Sequence, residues 1–173
     1  MSLLNPAAPR QGWFNVTLLG FAHFVSDFFS NVLPVMLPIL AARFSLSYSQ
    51  CAVVFMVFSV TMNLIQPPIG LMADRFRVNI LMPLSVVSGA LLACLLGVCD
   101  HLYVVMLVVL LAGLCQSGFH PIAGAILPTV TPVRHEEIAT SIFIAGGNLG
   151  FAVAPPLIAL YIDACGERAL PWV

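Results

Sequence analysis

Charged side chains are scarce in this sequence, and lysine is absent from it. Only 8% of the residues are charged, against 61% that are hydrophobic, and all six cations are arginines. Soluble globular domains carry roughly 25% charged residues. The scarcity therefore excludes an ordinary soluble domain, and lipid is the expected solvent for most of the chain. The arginines form no basic cluster, which argues against nucleic acid as a partner.

Paired cysteines and catalytic loops are missing as well. The five cysteines lie mostly inside apolar runs, without the spacing of a disulfide framework or a zinc site. The glycines lie in apolar helical stretches rather than after strands, so they predict no phosphate-binding loop. The sequence shows no Ser-His-acid arrangement in a soluble cleft. We therefore expect no enzyme, no metal and no cofactor.

What the chain has instead is five long apolar segments. A membrane-spanning helix needs about 20 predominantly apolar residues, and five segments reach that length: 13–42, 49–72, 80–98, 102–127 and 138–162. The first apolar run is far longer than the ~7–15 residues of a signal peptide core, so we expect no cleaved targeting segment. The sequence predicts an all-α, polytopic transmembrane helical bundle in the lipid bilayer.

The arginines in the linkers predict the orientation of this bundle. Alternate linkers place four arginines on one side and two on the other: Arg10, Arg75, Arg77 and Arg134 against Arg43 and Arg168. The positive-inside rule then places the N-terminus in the cytoplasm. Five spans would leave the final residues on the outer face, where their apolar ending resembles the start of a sixth helix.

Small residues recur at helical spacing in two of the predicted spans. Ser85, Gly89, Ala93 and Gly97 follow one another in the third span, and Gly146, Gly150 and Ala154 in the fifth. Such stripes let helix backbones approach closely inside a membrane, where the hydrophobic effect does not drive helices together. They predict a closely packed bundle rather than a single anchor.

The first predicted span carries a histidine and a carboxylate that can exchange a proton. His23 and Asp27 are four residues apart, so they share a helix face with Cβ atoms roughly 5–6 Å apart. A helix that enters the membrane near Trp13 places His23 about 15 Å deep, close to the middle of the bilayer. A charge there is costly and marks a functional pair. The alternative is a neutral pair that only fixes helix packing.

Further polar residues within the spans are candidates for a substrate cavity. Gln116 and His120 repeat the spacing of four in the fourth span. They could bind substrate or extend a proton path, or His120 could satisfy a carbonyl freed by the following proline. Gln66 and Asn148 are uncharged amides that could line the same cavity, or serve as hydrogen-bonding links between helices.

The linker after the second span has a different character. It concentrates an acid and two arginines in a short loop, with the residues Gly70, Asp74, Arg75 and Arg77. Its simplest interpretation is positive-inside anchoring. Its alternative is a charge cluster that locks helix ends in one conformation and releases them in another.

Several of these motifs resemble one family. Gly70-x3-Asp74-Arg75-x-Arg77 resembles the loop signature of the major facilitator superfamily, and Gly146-x3-Gly150-x3-Ala154-Pro155 resembles the fifth-helix motif of its proton-coupled drug antiporters. Residues 23–38, 64–70, 118–121 and 141–150 are similar to the fosmidomycin-resistance branch of that superfamily. Arg77-Val78 and Ala154 depart from the usual patterns, which have Gly-Arg in the loop and Gly in the fifth helix.

This resemblance implies a fold of twelve helices in two halves, of which the chain matches the first five. Together with the mid-membrane pair, the motifs predict part of a proton-coupled exporter of small amphiphilic or anionic drugs in a bacterial inner membrane. His23 and Asp27 would exchange protons, and the cavity would include Gln66, Gln116, His120 and Asn148. A part of the N-terminal half would need the missing C-terminal half, or a partner chain, to transport.

Three other functions remain open at this point. A proton-coupled symporter that imports a metabolite would use the same superfamily fold. A membrane redox protein would use His23 and His120 as axial haem ligands. A remnant that acts as a scaffold without transporting would explain the short length.

Overall fold

The computed structural model describes residues 12–76, 80–132 and 134–173, apart from the side chains of Asp74 and Phe76. Arg10 and Arg77 lie outside the described residues. The described part contains eight α-helices: α1 Trp13–Ser30, α2 Val32–Phe44, α3 Tyr48–Leu64, α4 Gln66–Phe76, α5 Leu81–Leu95, α6 Leu102–Gln116, α7 Phe119–Val130 and α8 Glu136–Cys165. Two short 3₁₀-helices, Leu96–Val98 and Glu167–Trp172, follow α5 and α8.

These helices join into five segments of membrane-spanning length within the described ranges. They are Trp13–Phe44, Tyr48–Ala73, Leu81–Val98, Leu102–Val130 and Glu136–Cys165, and each end lies within a few residues of the sequence prediction. The predicted all-α transmembrane bundle is confirmed. Short linkers make successive segments antiparallel, so one end of the bundle carries Trp13 and Glu136 and the other carries Arg43 and Glu167. We call these the Trp13 end and the Arg43 end.

Three of the five segments are interrupted near their middle. The interruptions fall at Asn31 between α1 and α2, at Ile65 between α3 and α4, and at residues 117–118 between α6 and α7. Prolines follow each interruption within four residues: Pro34, Pro67, Pro68 and Pro121. Proline has no N–H to donate and its ring crowds the preceding turn, so it favours a break at these points.

Two apolar clusters hold the helices together. The larger cluster includes residues of α2 and α6, among them the fully buried Met36, Leu40, Val105 and Val109. A smaller cluster at the Trp13 end joins α1, α7 and α8, with the members Val16, Leu19, Leu127 and Ala139. Large apolar side chains elsewhere, such as Phe14, Leu91 and Leu160, face outward. Outward apolar faces are what a helix bundle presents to lipid.

The predicted small-residue stripe of the third span faces inward. Ser85 and Ala93 are buried, as are Gly89 and Gly97. A Cβ on Gly89 would overlap the Gln116 side chain, and a Cβ on Gly97 would overlap the carbonyl oxygen of Glu167. The small residues therefore let neighbours pack directly on the backbone of this span.

The stripe of the fifth span packs on the first span in register. A Cβ on Gly146 would overlap the carbonyl oxygen of Gly20, and a Cβ on Gly150 would overlap that of Phe24. Both pairs are four residues apart, so one helical turn of α8 matches one turn of α1. Ala154 continues the stripe and is fully buried, with Pro155 half-buried beside it. These residues build the contact between α1 and α8.

Arg43 joins three chain segments at the Arg43 end. Its guanidinium donates to the carbonyl of Cys99 at 2.8 Å and to the carbonyl of Gly97 at 3.2 Å. It also pairs with the Glu167 carboxylate at 3.1 Å. The ends of α2 and α5 and the segment after α8 are thereby fixed to one another.

The Arg43–Glu167 pair makes the stability of this end depend on pH. The backbone N–H of Glu167 and the Arg43 guanidinium hold the pKa of the Glu167 carboxyl below its usual value of 4.5. A lowered carboxyl pKa stabilises the fold fully above that usual value, and the contribution is lost as the pH falls through the lowered pKa. We expect the wild type to lose about 1–3 °C more melting temperature between about pH 5 and pH 3 than Glu167→Gln does. Parallel melting curves for the two proteins would contradict this assignment.

Candidate functional site

His23, Asp27 and His120 meet near the middle of the bundle. The Nε2 of His23 lies 3.3 Å from one carboxylate oxygen of Asp27. The Nε2 of His120 lies 3.7 Å from the other. The side chains are 12%, 20% and 26% exposed in the order His23, Asp27, His120, so the cluster is partly open on one face. We call these three residues the His–Asp–His cluster.

Helix α8 positions the His23 ring. The Nδ1 of His23 is 2.8 Å from the carbonyl oxygen of Phe143, and its ring stacks on the Phe143 ring with the centroids 4.2 Å apart. Gly147 makes room for this arrangement, because a Cβ at that position would overlap the imidazole. The first and fifth spans therefore meet at His23 as well as at the glycine stripe.

The bond to Phe143 decides which His23 nitrogen carries hydrogen. A carbonyl oxygen can only accept, so Nδ1 must be the donor. A neutral His23 would then direct the lone pair of Nε2 at an Asp27 oxygen, and two acceptors would face each other at 3.3 Å. One proton on either atom converts this contact into a hydrogen bond. The arrangement is consequently suited to hold one exchangeable proton between His23 and Asp27.

The turn at the start of α7 brings His120 to the cluster. The Phe119 side chain is fully buried and anchors this turn. The His120 ring meets the His23 ring edge to face, with centroids 5.2 Å apart. His120 follows the break at residues 117–118 and precedes Pro121. The break thus directs His120 toward Asp27, from which it is 93 positions distant in sequence (120 minus 27).

Three donor atoms of the cluster lie within 4.8 Å of one another, which is close enough to hold a metal ion as well as a proton. A tetrahedral zinc ion would take a fourth ligand in addition to these three. A proton needs only the His23–Asp27 pair.

Further polar contacts follow Asp27 along the first span. The side-chain amide of Asn31 donates to the backbone carbonyl of Asp27 at 2.8 Å. It thereby satisfies a carbonyl at the break between α1 and α2. The Ser30 hydroxyl lies within hydrogen-bonding distance of the Ser26 carbonyl and of the Gln116 amide oxygen. Gln116 is only 2% exposed, and its amide nitrogen is the buried side-chain atom in the described ranges without a hydrogen-bond partner. Gln116 therefore lies inside the bundle.

The structure places the other predicted site residues that it describes on α4 and α8. Gln66 is half-buried at the start of α4, and Asn148 is exposed on α8. Gly70 on α4 packs near Pro121 on α7, where an added Cβ would lie 3.4 Å from the proline. Arg75 lies in the last turn of α4, and the Asp74 side chain lies outside the described residues. Their roles in a cavity or a gate stay predictions.

Three contributors to the site were not predicted from the sequence: Phe119, Phe143 and Gly147. The phenylalanines carry no signal that separates them from other apolar residues. Gly147 does carry one, because two adjacent glycines inside a helix each cost up to about 1 kcal/mol relative to alanine. The close approach of α8 to α1 explains Gly146 but not Gly147. A second glycine therefore indicates another close contact at that position.

With this geometry in place, comparison with known proteins decides the family. A sequence model of the Major Facilitator Superfamily matches residues 19–173. The chain belongs to the Major Facilitator Superfamily. The predicted superfamily is thereby confirmed, and the chain is an integral membrane protein of a transporter family.

Individual relatives in the superfamily support the predicted branch. The fosmidomycin resistance protein of Escherichia coli (strain K12) is 28% identical over 157 residues, which cover 89% of this chain and 38% of the relative. The uncharacterized MFS-type transporter YfnC of Bacillus subtilis (strain 168) is 26% identical over 155 residues, covering 90% of this chain and 38% of the relative. The probable sulfoacetate transporter SauU of Cupriavidus necator is 26% identical over 132 residues, covering 76% and 30%.

The superfamily match concerns only part of each relative. The chain spans 38% or less of the length of these three transporters. No solved structure matches the chain at a significant level. Bacterial relatives of this kind indicate an integral protein of the inner membrane.

Proposed function

We propose that this chain belongs to a proton-coupled secondary transporter that exports small drug-like molecules by antiport. The observation that carries the proposal is the contact between His23 and Asp27, in which a fixed Nδ1–H leaves Nε2 facing the carboxylate at 3.3 Å. Two facing acceptors favour the uptake of one proton. Partial exposure of the pair gives that proton a route to water when the open face is hydrated.

The electrical balance of the cluster supports proton coupling. With both histidines neutral, Asp27 leaves the cluster with one negative charge inside the membrane. One bound proton makes the cluster neutral, which removes a cost on the order of 2.5–3.5 kcal/mol for a charge at mid-membrane. Release of the proton is therefore favourable only when water or a counter-charge reaches the site. The Nε2 of His120 faces the other carboxylate oxygen of Asp27. From there His120 can stabilise Asp27 in either its charged or its protonated state.

An apolar cleft beside α2, the helix that follows α1 in the first span, suits the apolar part of an amphiphilic substrate. The cleft has a volume of about 530 Å³ and lies between α2 and α3, with Pro34, Leu37, Pro38 and Tyr48 among its lining residues. Pro34 follows Asp27 by seven residues, which is about two helical turns. A substrate that occupies the cleft and reaches the cluster with a polar group would compete with the proton. Competition of this kind produces antiport.

The other predicted residues enter this proposal with separate roles. Asn148 and Gln66 contribute polar groups to the cavity from α8 and α4, and Gln116, whose amide oxygen contacts the Ser30 hydroxyl, contributes one from α6. The loop with Gly70, Asp74, Arg75 and Arg77 acts as the conformational gate.

The orientation and the partners of the bundle complete the proposal. The N-terminus faces the cytoplasm, as the arginine distribution predicts. A second bundle, from further sequence or from a partner chain, supplies the opposing wall of the cavity, since alternating access requires two bundles around a central site.

A proton symporter for a small organic anion is the second candidate. The relative named as a probable sulfoacetate transporter favours it, since that name describes transport of a small organic anion. Two histidines beside one carboxylate could accept such an anion when protonated.

Proton movement separates the two candidates. Inside-out membrane vesicles from cells that produce the complete transporter, this chain together with its second bundle, are energised so that the lumen becomes acidic, and lumen pH is followed with a fluorescent dye. Under antiport, fosmidomycin or another small drug added outside makes the lumen more alkaline. Under symport, the lumen becomes more alkaline only when substrate has been loaded into it. A panel of drugs and organic anions without effect in either arrangement would contradict proton coupling.

A further inference from the structure

The His23 ring is held from two helices at once. Asp27 on α1 faces Nε2, while the carbonyl of Phe143 on α8 accepts from Nδ1 at 2.8 Å. The titratable groups that face the ring within the described ranges are Asp27 on α1 and His120 on α7. Helix α8 contributes a carbonyl and an aromatic ring to this contact. Its influence on His23 therefore acts through position and hydrogen bonding rather than through a charge.

Phe143 and Gly147 belong to the same turn of α8. In a regular helix the carbonyl of residue 143 accepts from the N–H of residue 147. A carbonyl oxygen has two lone pairs, so it can accept a second hydrogen bond from the imidazole. The route of the ring to that oxygen passes over Gly147, where a Cβ would overlap three imidazole atoms. One turn of α8 thus supplies both the carbonyl that accepts from His23 and the space that the ring needs to reach it.

We propose that Gly147 and the Phe143 carbonyl are positioning elements that hold neutral His23 in its Nδ1–H tautomer, so that Nε2 is the atom that exchanges the proton with Asp27. Neither element touches the exchanged proton. Both act through the imidazole, and both lie on the fifth span. The position of α8 relative to α1 thereby determines whether Nε2 presents a lone pair to Asp27. This inference deepens the proposed function and rests on it for the use of the proton, but the tautomer is a property of the chain itself.

The tautomer can be measured directly by nitrogen NMR. The purified chain in lipid nanodiscs, with ¹⁵N-labelled histidine, reports which ring nitrogen of His23 carries hydrogen at a pH where the ring is neutral. We expect the Nδ1–H form in the wild type, with a magnetisation transfer between His23 Nδ1 and the ¹³C-labelled carbonyl of Phe143. An Nε2–H form in the wild type would overturn the proposal, and this measurement needs no variant.

A matched pair of substitutions tests the role of Gly147. Gly147→Ala places a methyl group in the space of the imidazole, and we expect the ratio of Nδ1–H to Nε2–H tautomers to fall at least about tenfold, or roughly 1.4 kcal/mol. Gly124→Ala is the control, because a Cβ on Gly124 in α7 meets no atom within 4 Å. Its His23 spectrum should match the wild type. An unchanged tautomer ratio in Gly147→Ala would overturn the role of Gly147.

The two proposals can fail separately. If the wild-type ring is Nδ1–H and Gly147→Ala shifts it, the positioning role stands even where vesicle assays show no proton coupling. If the vesicles show coupling while His23 is Nε2–H, the positioning role is wrong and the proposed function stands.

Discussion

Asp27→Asn is expected to reduce proton-driven transport by roughly 100-fold or more, the scale on which a positioned proton-transfer group acts. Asparagine has nearly the same shape as aspartate, and its amide N–H can still donate to the Nε2 of neutral His23. It has no proton to release in the physiological range, so the His–Asp–His cluster loses its exchange partner. The measurement compares substrate-induced changes of lumen pH between two preparations of inside-out vesicles, which hold equal amounts of the complete transporter with and without the substitution.

Two controls distinguish lost coupling from lost protein. Asp100→Asn changes an exposed carboxylate that pairs with Arg168 at the Arg43 end, and it should keep wild-type transport. Exchange of labelled for unlabelled substrate without a pH gradient needs no net proton movement, so Asp27→Asn should retain it. Normal proton-driven transport by Asp27→Asn would remove Asp27 from the coupling site.

Gly150→Leu is expected to destabilise the bundle by about 3 kcal/mol or more, at or beyond the upper end of ordinary overpacking. Even a Cβ at this position would overlap the backbone carbonyl of Phe24, and backbone cannot rotate away as a side chain can. Helices α1 and α8 would have to separate, and the contact between His23 and Phe143 would separate with them. Unfolding can be followed with a thiol-reactive dye, because Cys94 and Cys99 are buried in the folded bundle.

The control for this substitution is Gly124→Leu. It adds the same side chain to an exposed glycine in α7, where an added Cβ meets no atom within 4 Å. Its melting temperature should remain within a few degrees of the wild type. Equal melting temperatures for Gly150→Leu and the wild type would show that the α1–α8 contact can relax without cost, contrary to the packing described above.

The fold was largely predictable because hydropathy in a membrane protein is a local property. Each of the five segments had enough apolar residues to span a bilayer, and each became a segment of helix. The small-residue spacing of Gly146 and Gly150 also predicted a close helix contact. It could not name the partner, since the matching carbonyls of Gly20 and Phe24 belong to backbone that every residue possesses.

Only the local part of the site was predictable from the sequence. His23 and Asp27 are one helical turn apart, so their contact follows from helix geometry. The contact of His23 with Phe143 joins residues 120 positions apart, and that of Asp27 with His120 depends on the break before α7. Burial of Gln116 likewise depends on Gly89 of a different span. These contacts depend on how distant helices pack, which the spacing of residues in the sequence does not predict.

The break at Asn31 divides the first span into α1, which carries the proton site, and α2, which lines the apolar cleft. Asp27 and His23 lie on α1, which the glycines of α8 hold in register, whereas Pro34 and Pro38 lie on α2 beyond the break. A pivot at Asn31 would swing α2 and reshape the apolar cleft without displacing the carboxylate. The Arg43 contacts fix the other end of α2, so such a movement would require their release, while the proton site itself would stay in place.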